Sequence, residues 1–264
     1  FTPSAKIQAV QNATSIKVVT ANGVRMSADD VNRLCGGAEL ENEFPNVATL
    51  DLEQALFSAD ADLKKLSWMD NLKTITFPRT TTVIPQQCLI SNSCKIENVI
   101  IPDNRDRSVR IESMAFATSS LKTVVLGEVS SVGNSSIGPS VFLFASNLVK
   151  VTFKYGWKSI DAQAFLDCTS LTKVALPEGL ISIENGAFSG CTKLTSIRLP
   201  STLQKICANS FNNCTSLKSI TIPASVTQIE ANAFQNNVSL TDVYVLGAHT
   251  KIAKHGFQPF NTYA

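Results

Sequence analysis

Residues 188–217 read FSGCTKLTSIRLPSTLQKICANSFNNCTSL, and they hold one full repeat and the start of the next. Phe188 returns as Phe211, Cys191 as Cys214 and Leu194 as Leu217, each after the same 23-residue step. The phenylalanine column extends outward to Phe142, Phe165, Phe234 and Phe257. A step held over six members marks a stack of near-identical coils rather than a globule around one enclosed core. Other columns keep the same frame: Leu148, Leu171 and Leu240; Val151, Val174, Ile197, Ile220 and Val243; Phe153, Leu176, Leu199, Ile222 and Val245; Ile160, Ile183, Ile206, Ile229 and Ile252.

Each coil can be followed as a path. Residues 194–199 alternate apolar and polar at their end, as a strand with one buried face does. Pro200 closes that strand, as Pro177 and Pro223 do in neighbouring coils, because proline lacks the N–H that a central strand needs. Residues 203–206 are again extended, with Leu203 and Ile206 as anchors. The pair Ala187-Phe188, repeated as Ala233-Phe234, lies in a short polar stretch read as one helical turn. The phenylalanines are expected to fill the interior, each able to bury roughly 150–250 Å². One coil cannot bury its apolar face alone, so neighbours stack ~4.8 Å apart.

Upstream the frame continues with small insertions through Leu72, Ile75 and Phe77, then Ile96, Val99 and Ile101, then Leu121, Val124 and Leu126. Val47, Leu50 and Leu52 open an earlier coil. Eight or nine coils make a stack ~40 Å long. Residues 1–46 leave the frame and are read as an N-terminal cap, with residues 47–264 as the repeat domain. In the cap, Ser15 to Thr20 is expected as a strand, Asn22-Gly23 as a turn and residues 24–26 as a returning strand. Ser27 then N-caps a helix with Val31, Leu34 and Cys35 on its inner face, stopped by Gly36-Gly37. At the other end Phe260 and Tyr263 either form a minimal cap or leave a face for another domain or molecule, with self-association at that end among the expected uses.

The motifs at residues 194–200, Leu203 to Ile206, Ser210-Phe211 and Cys214-Thr-Ser-Leu217 resemble the BspA-type (Treponema-type) leucine-rich repeats. The likeness is strongest over residues 142–258, recognisable from about residue 72 and absent from 1–46. Ala145 and Asn237 depart from the cysteine, and His249 from the Val/Leu, of the pattern. The resemblance implies an α/β, mostly β leucine-rich repeat solenoid (a horseshoe) with parallel concave strands, short helical turns and a cap. It further implies a secreted or cell-surface protein without catalytic residues. Adhesion to a host matrix protein or another microbial surface protein is the leading function. A glycan-binding module of a surface nutrient-acquisition system and a structural spacer are the alternatives.

Composition is that of an ordinary soluble protein with a substantial core. The chain is 44% hydrophobic and 17% charged, with a net charge of +2 that gives no sign of nucleic-acid binding. It has no apolar run long enough to span a membrane. It begins at Phe1 rather than Met, so a signal or anchor is expected to have been removed ahead of it. Cys168, Cys191 and Cys214 share a column and are expected as buried free thiols, while pairing of Cys88 with Cys94 stays open. No CxxC pair exists, and the two histidines, His249 and His255, lie elsewhere, so neither a metal nor a cofactor is expected. Asp161, Glu184 and Glu230 form one outer stripe, interrupted by Cys207 and read as a solvated edge. The sequons at Asn12, Asn134, Asn213 and Asn237 matter only in a eukaryotic source.

A partner is expected on the outward side chains of the strands. There Ile100 and Val125 are apolar, adjacent and expected to be exposed. Lys150, Lys173 and Arg198 form a basic diagonal beside them, and Tyr244 is the aromatic in these columns. Exposed apolar groups rimmed by charge mark interaction sites.

Overall fold

The structure, a computed structural model, describes residues 13–20, 23–35, 44, 46–58, 61–90 and 94–257, together with the backbone of 5–7. It is a β-solenoid of parallel strands with few helices. The first strand of each coil enters a long sheet. That sheet runs through Thr49–Gln54, Thr74–Thr76, Asn98–Ile101, Thr123–Leu126, Lys150–Phe153, Lys173–Ala175 and Ser196–Arg198, all parallel. The ladder then stops. Ser219–Ile222 pairs with Asp242–Val245 as a separate two-stranded unit. Equivalent residues meet across each step, as in Val151↔Val174↔Ile197, so the 23-residue frame is also the sheet register.

The isoleucine column makes a second parallel sheet of eight short strands, from Val83–Ile84 to Lys251–Ile252. This resolves the extended segments of residues 203–206 and their equivalents into true ladder strands. Between the sheets lies a single core in which Phe142, Phe165, Phe188, Phe211 and Phe234 are all buried. Their rings, with that of Phe257, stack face to face at 4.8, 4.9, 5.4, 5.2 and 4.7 Å between centroids. Phe77 and Phe116 prolong the column, tilted and 5.8–5.9 Å apart from ring to ring. The sequence frame places Phe116 in the insertion-bearing coils, where the step is irregular, which hides it from a fixed-period reading.

The Ala-Phe corner differs from expectation. A helix occupies it in the first coil, the 3₁₀ turn Leu63–Trp68. In later coils the corner is a run of linked turns whose alternate N–H groups point to the next coil. Gln163, Phe165 and Asp167 donate to the carbonyls of Asn185, Ala187 and Ser189, and Gly186, Phe188 and Gly190 donate to Ala208, Ser210 and Asn212. A helix would spend these donors inside its own coil. Directing them outward requires left-handed residues, and four successive corners have two each, four positions apart: Gln163 and Asp167, Gly186 and Gly190, Asn209 and Asn213, Asn232 and Asn236.

At the N-terminal end Ser15–Thr20 forms as expected and adds in parallel to Thr49–Gln54. Its antiparallel partner is Ala5–Ile7 upstream, not residues 24–26, where Met26 alone bridges to Phe57. The chain leaves Gly23 toward the coil below instead of folding back. The helix Ala28–Cys35 follows, with Val31, Leu34 and Cys35 buried. Its start is a reciprocal capping box: the Asp30 N–H donates to Ser27 Oγ at 3.2 Å, and the Ser27 N–H donates to Asp30 Oδ2 at 2.8 Å. Gly36-Gly37, Asn22, Phe260 and Tyr263 lie outside the described residues.

Candidate binding face

Strand geometry fixes which side chains can meet a partner. Along each long-sheet strand alternate residues enter the core, so Val151, Val174 and Ile197 are buried, while Lys150, Lys173, Ser196 and Arg198 stand out. Two outward rows result. One runs Thr74–Asn98–Thr123–Lys150–Lys173–Ser196, the other Thr76–Ile100–Val125–Thr152–Ala175–Arg198.

The first row changes character along its length. The Asn98 side-chain amide donates to Thr74 Oγ1 at 3.1 Å, and the Thr123 hydroxyl donates to Asn98 Oδ1 at 2.6 Å, so this part satisfies itself. Lys150 and Lys173 come next, directly opposite each other on paired strands. Like charges in that position destabilise a sheet. Neither lysine has an ion-pair partner among the described residues. Lys122 and Lys154, in contrast, meet Glu97 and Asp103 at 2.9 Å. These contacts hold both carboxyls below their usual range, first through the lysine hydrogen bonds.

Over the strands of Lys150, Lys173 and Arg198 lies an open hollow of about 670 Å³, lined by all three cations with Thr152, Thr172, Ala175 and Ser196. No carboxylate lines it. Arg198 reaches Glu178 at 3.7 Å, a long contact between exposed groups. Three of the six expected site residues are thus brought together.

The other three are not. Ile100 and Val125 are half-buried rather than exposed: they stand directly opposite each other on paired strands, where two branched apolar side chains cover part of one another. Neither lines the hollow. Tyr244 is exposed, but it stands on the separate two-stranded unit beyond the break in the ladder. The hollow itself was missed by sequence reasoning, since the repeat fixes which side chains face outward but not the space they leave between them.

The cysteines take no part in this face. All seven are free thiols, Cys88 and Cys94 included. Cys168, Cys191 and Cys214 donate from Sγ to the carbonyls of Phe142, Phe165 and Phe188 at 3.2, 3.3 and 3.2 Å. Burial raises all three pKa values, that of Cys214 to about 12. Asp161 is also raised, first by burial and then by the neighbouring Glu184. No metal-binding group of three or more His, Cys, Asp or Glu side chains occurs among the described residues. No helix among them is long and apolar enough to cross a membrane.

A parallel solenoid with an open, cation-lined sheet face defines the class: a leucine-rich repeat scaffold. The chain belongs to the BspA-type leucine-rich repeat family, whose repeat region matches residues 64–136 and 135–262 in six copies. Among solved structures it is similar to the T. pallidum leucine-rich repeat protein, TpLRR, at 23% identity and a TM-score of 0.53, over 61% of this chain and 78% of that one. A leucine-rich cell surface protein from Faecalibacterium prausnitzii A2-165 aligns at 21% identity with a TM-score of 0.37, over 79% of this chain and 66% of its own. At these identities the likeness is one of fold. Comparison with curated proteins returns no match.

Proposed function

We propose that the protein is a non-enzymatic binding module of the cell surface or extracellular space, which receives an acidic segment of a protein ligand on the outward face of the long sheet. The observation that carries this reading is the Lys150–Lys173 pair. Two like charges are held opposite each other, joined by Arg198 around one hollow, with no carboxylate in its lining. An anionic partner relieves that repulsion and uses the field of the cluster to speed encounter. Membership of the BspA-type family supports a protein ligand, either a host matrix protein or another microbial surface protein. A glycan reading draws less support, because the exposed Tyr244 lies outside the hollow.

The test is binding of the purified protein to immobilised matrix and microbial surface proteins at low and high salt. Saturable binding is expected to weaken with salt, and to weaken at least tenfold in a Lys150→Ala/Lys173→Ala/Arg198→Ala variant. Equal binding by that variant, or no binding across the panel, would refute the reading.

A further inference from the structure

A second cavity, of about 380 Å³, lies at the N-terminal end of the solenoid, away from the sheet-face hollow. Four separate stretches of chain build it. Arg25 enters from the segment ahead of the helix. Phe57, Ser58, Ala61 and Leu63 come from the first corner, and Pro78 with Thr80, Thr81, Thr82 and Val83 from the link between the two sheets. Arg107 comes from the insertion at residues 103–108. Two guanidinium groups and a run of three threonines therefore converge on an apolar floor, and no carboxylate lines the cavity.

The arginines here differ from the others. Arg79, Arg105, Arg110 and Arg198 each face a carboxylate. Arg25 and Arg107 have no ion-pair partner among the described residues. Their positions are nonetheless held. Arg25 Nη1 donates to the Phe57 carbonyl at 2.9 Å, which fixes the fork and leaves its remaining donors free. The Arg107 N–H donates to the Asn104 carbonyl at 3.2 Å, and its own carbonyl accepts from Ser130 at 2.9 Å.

Thr81 adds a hydroxyl to the cavity wall. Thr81 is only 9% exposed, and its hydroxyl, which has no protein partner among the described residues, is accessible from the cavity. Its backbone is pinned: the N–H donates to the Pro78 carbonyl at 3.1 Å, and the Asn104 side-chain amide donates to its carbonyl at 3.3 Å. The side chain is thus held at the cavity wall with its hydrogen-bonding capacity unused.

We propose that this cavity binds a monosaccharide-sized ligand carrying one oxyanion, a carboxylate, sulfate or phosphate. The forked guanidinium donors match an oxyanion in bidentate fashion. The threonine hydroxyls serve the hydroxyls of a sugar-like ring, and the half-buried Phe57 with Leu63 and Pro78 gives that ring an apolar floor. The volume is at the lower end of small-ligand sites and suits a single sugar-sized ring.

Calorimetric titration with glucuronate, glucose 6-sulfate and glucose 6-phosphate, with glucose as the neutral control, tests this. At least one anionic sugar is expected to bind tenfold or more tightly than glucose, and the order among the three identifies the oxyanion. Arg107→Gln, on an exposed side chain, is expected to weaken that ligand at least tenfold, and Thr81→Val about threefold. Arg25→Gln should act like Arg107→Gln, but its bond to Phe57 also supports the fold, so Arg107→Gln is the deciding variant. The Lys150/Lys173/Arg198 triple variant should leave this binding unchanged, which separates the cavity from the sheet-face site. Glucose binding as well as the anions, unaltered affinity in Arg107→Gln, or no saturable binding of any probe would overturn the proposal.

Discussion

At the scale of single residues, the cysteine column shows how the repeat handles a polar atom in a dry core. Each thiol is small enough for the space behind the phenylalanine stack, and each donates its proton to a phenylalanine carbonyl one coil back. Where the column changes, the bonding changes. Asn237 accepts from the Cys214 N–H at 2.8 Å, but its amide nitrogen finds no partner. The thiols also make stability depend on pH in a defined direction. Burial raises their pKa values, Cys214 to about 12, so the folded protein keeps protons that the unfolded chain loses above about pH 9. A raised folded-state value means the stabilisation is complete below the unfolded value and disappears as pH rises toward the folded one. Urea unfolding of the protein and of Cys214→Ala between pH 9 and 11 checks this. The variant is less stable at pH 8 from the lost packing, and its stability is expected to decline less steeply, by about 1.4 kcal/mol per pH unit for the one thiol removed. Parallel declines would show that Cys214 ionises equally in both states.

At the scale of elements, the corner is the part that departs most from its sequence reading. In the corners that begin at Ser140, Gln163, Gly186 and Asn209, two left-handed residues aim three N–H groups at the next coil, so the corner works as a third ladder. Glycine and asparagine suit that conformation, and they hold these positions in the coils of Gly186, Asn209 and Asn232. Phe144 does not suit it. It has a φ of 56° with its ring 59% exposed, so its side chain gains little burial for the backbone strain. Left-handed geometry costs an L-residue about 1–2 kcal/mol, part of which glycine returns through its freer unfolded chain. Phe144→Gly is therefore expected to raise stability by about 0.5–1 kcal/mol, while Gly186→Ala lowers it by a similar amount. An alanine Cβ at Gly186 meets nothing closer than 3.5 Å, so that loss is conformational. Chemical denaturation of both variants decides the point, and a change of the same sign in the two would remove left-handed strain as the cause. The alternation of Gly186 and Gly190 with Asn209 and Asn213 was visible in the sequence. A polar stretch around Ala-Phe nevertheless suits a helical turn as well, since local propensity does not say whether an N–H stays in its own coil. The strand columns were legible because burial imposes a period of two and stacking imposes a period of 23 on the same residues. The basic members of the candidate face followed from that register. The cavity of Arg25, Thr81 and Arg107 did not, because it joins segments 26 to 82 residues apart outside the repeat frame.

The whole molecule is a one-dimensional stack, so its stability is set by each coil and its neighbours rather than by one shared centre. Its two ends are unequal among the described residues. At the N-terminal end Ser15–Thr20 completes the edge of Thr49–Gln54, and the helix Ala28–Cys35 packs against Leu63–Trp68. At the other end the core columns come into the open. Val245 is 38% exposed where Leu176, Leu199 and Ile222 are buried, and Ile252 is 48% exposed where Ile206 and Ile229 are buried. The long-sheet ladder is also interrupted between Ser196–Arg198 and Ser219–Ile222, leaving the last two coils joined to the rest through the second sheet, the corner and the phenylalanine stack. Less apolar burial and fewer shared hydrogen bonds place these coils at the low end of the local stability range. Native-state hydrogen exchange should therefore be graded along the chain. Amides of Val151, Val174 and Phe165 are expected to exchange at the rate of global unfolding, and those of Tyr244, Val245 and Ile252 on the order of a hundredfold faster. Ser219–Ile222 should follow the faster group, because it pairs only with Asp242–Val245 in its sheet. Uniform protection from Val151 through Ile252 would mean that the second sheet, the corner and the stacked rings together bind the last coils into the cooperative unit, and that the break in the ladder has no energetic consequence.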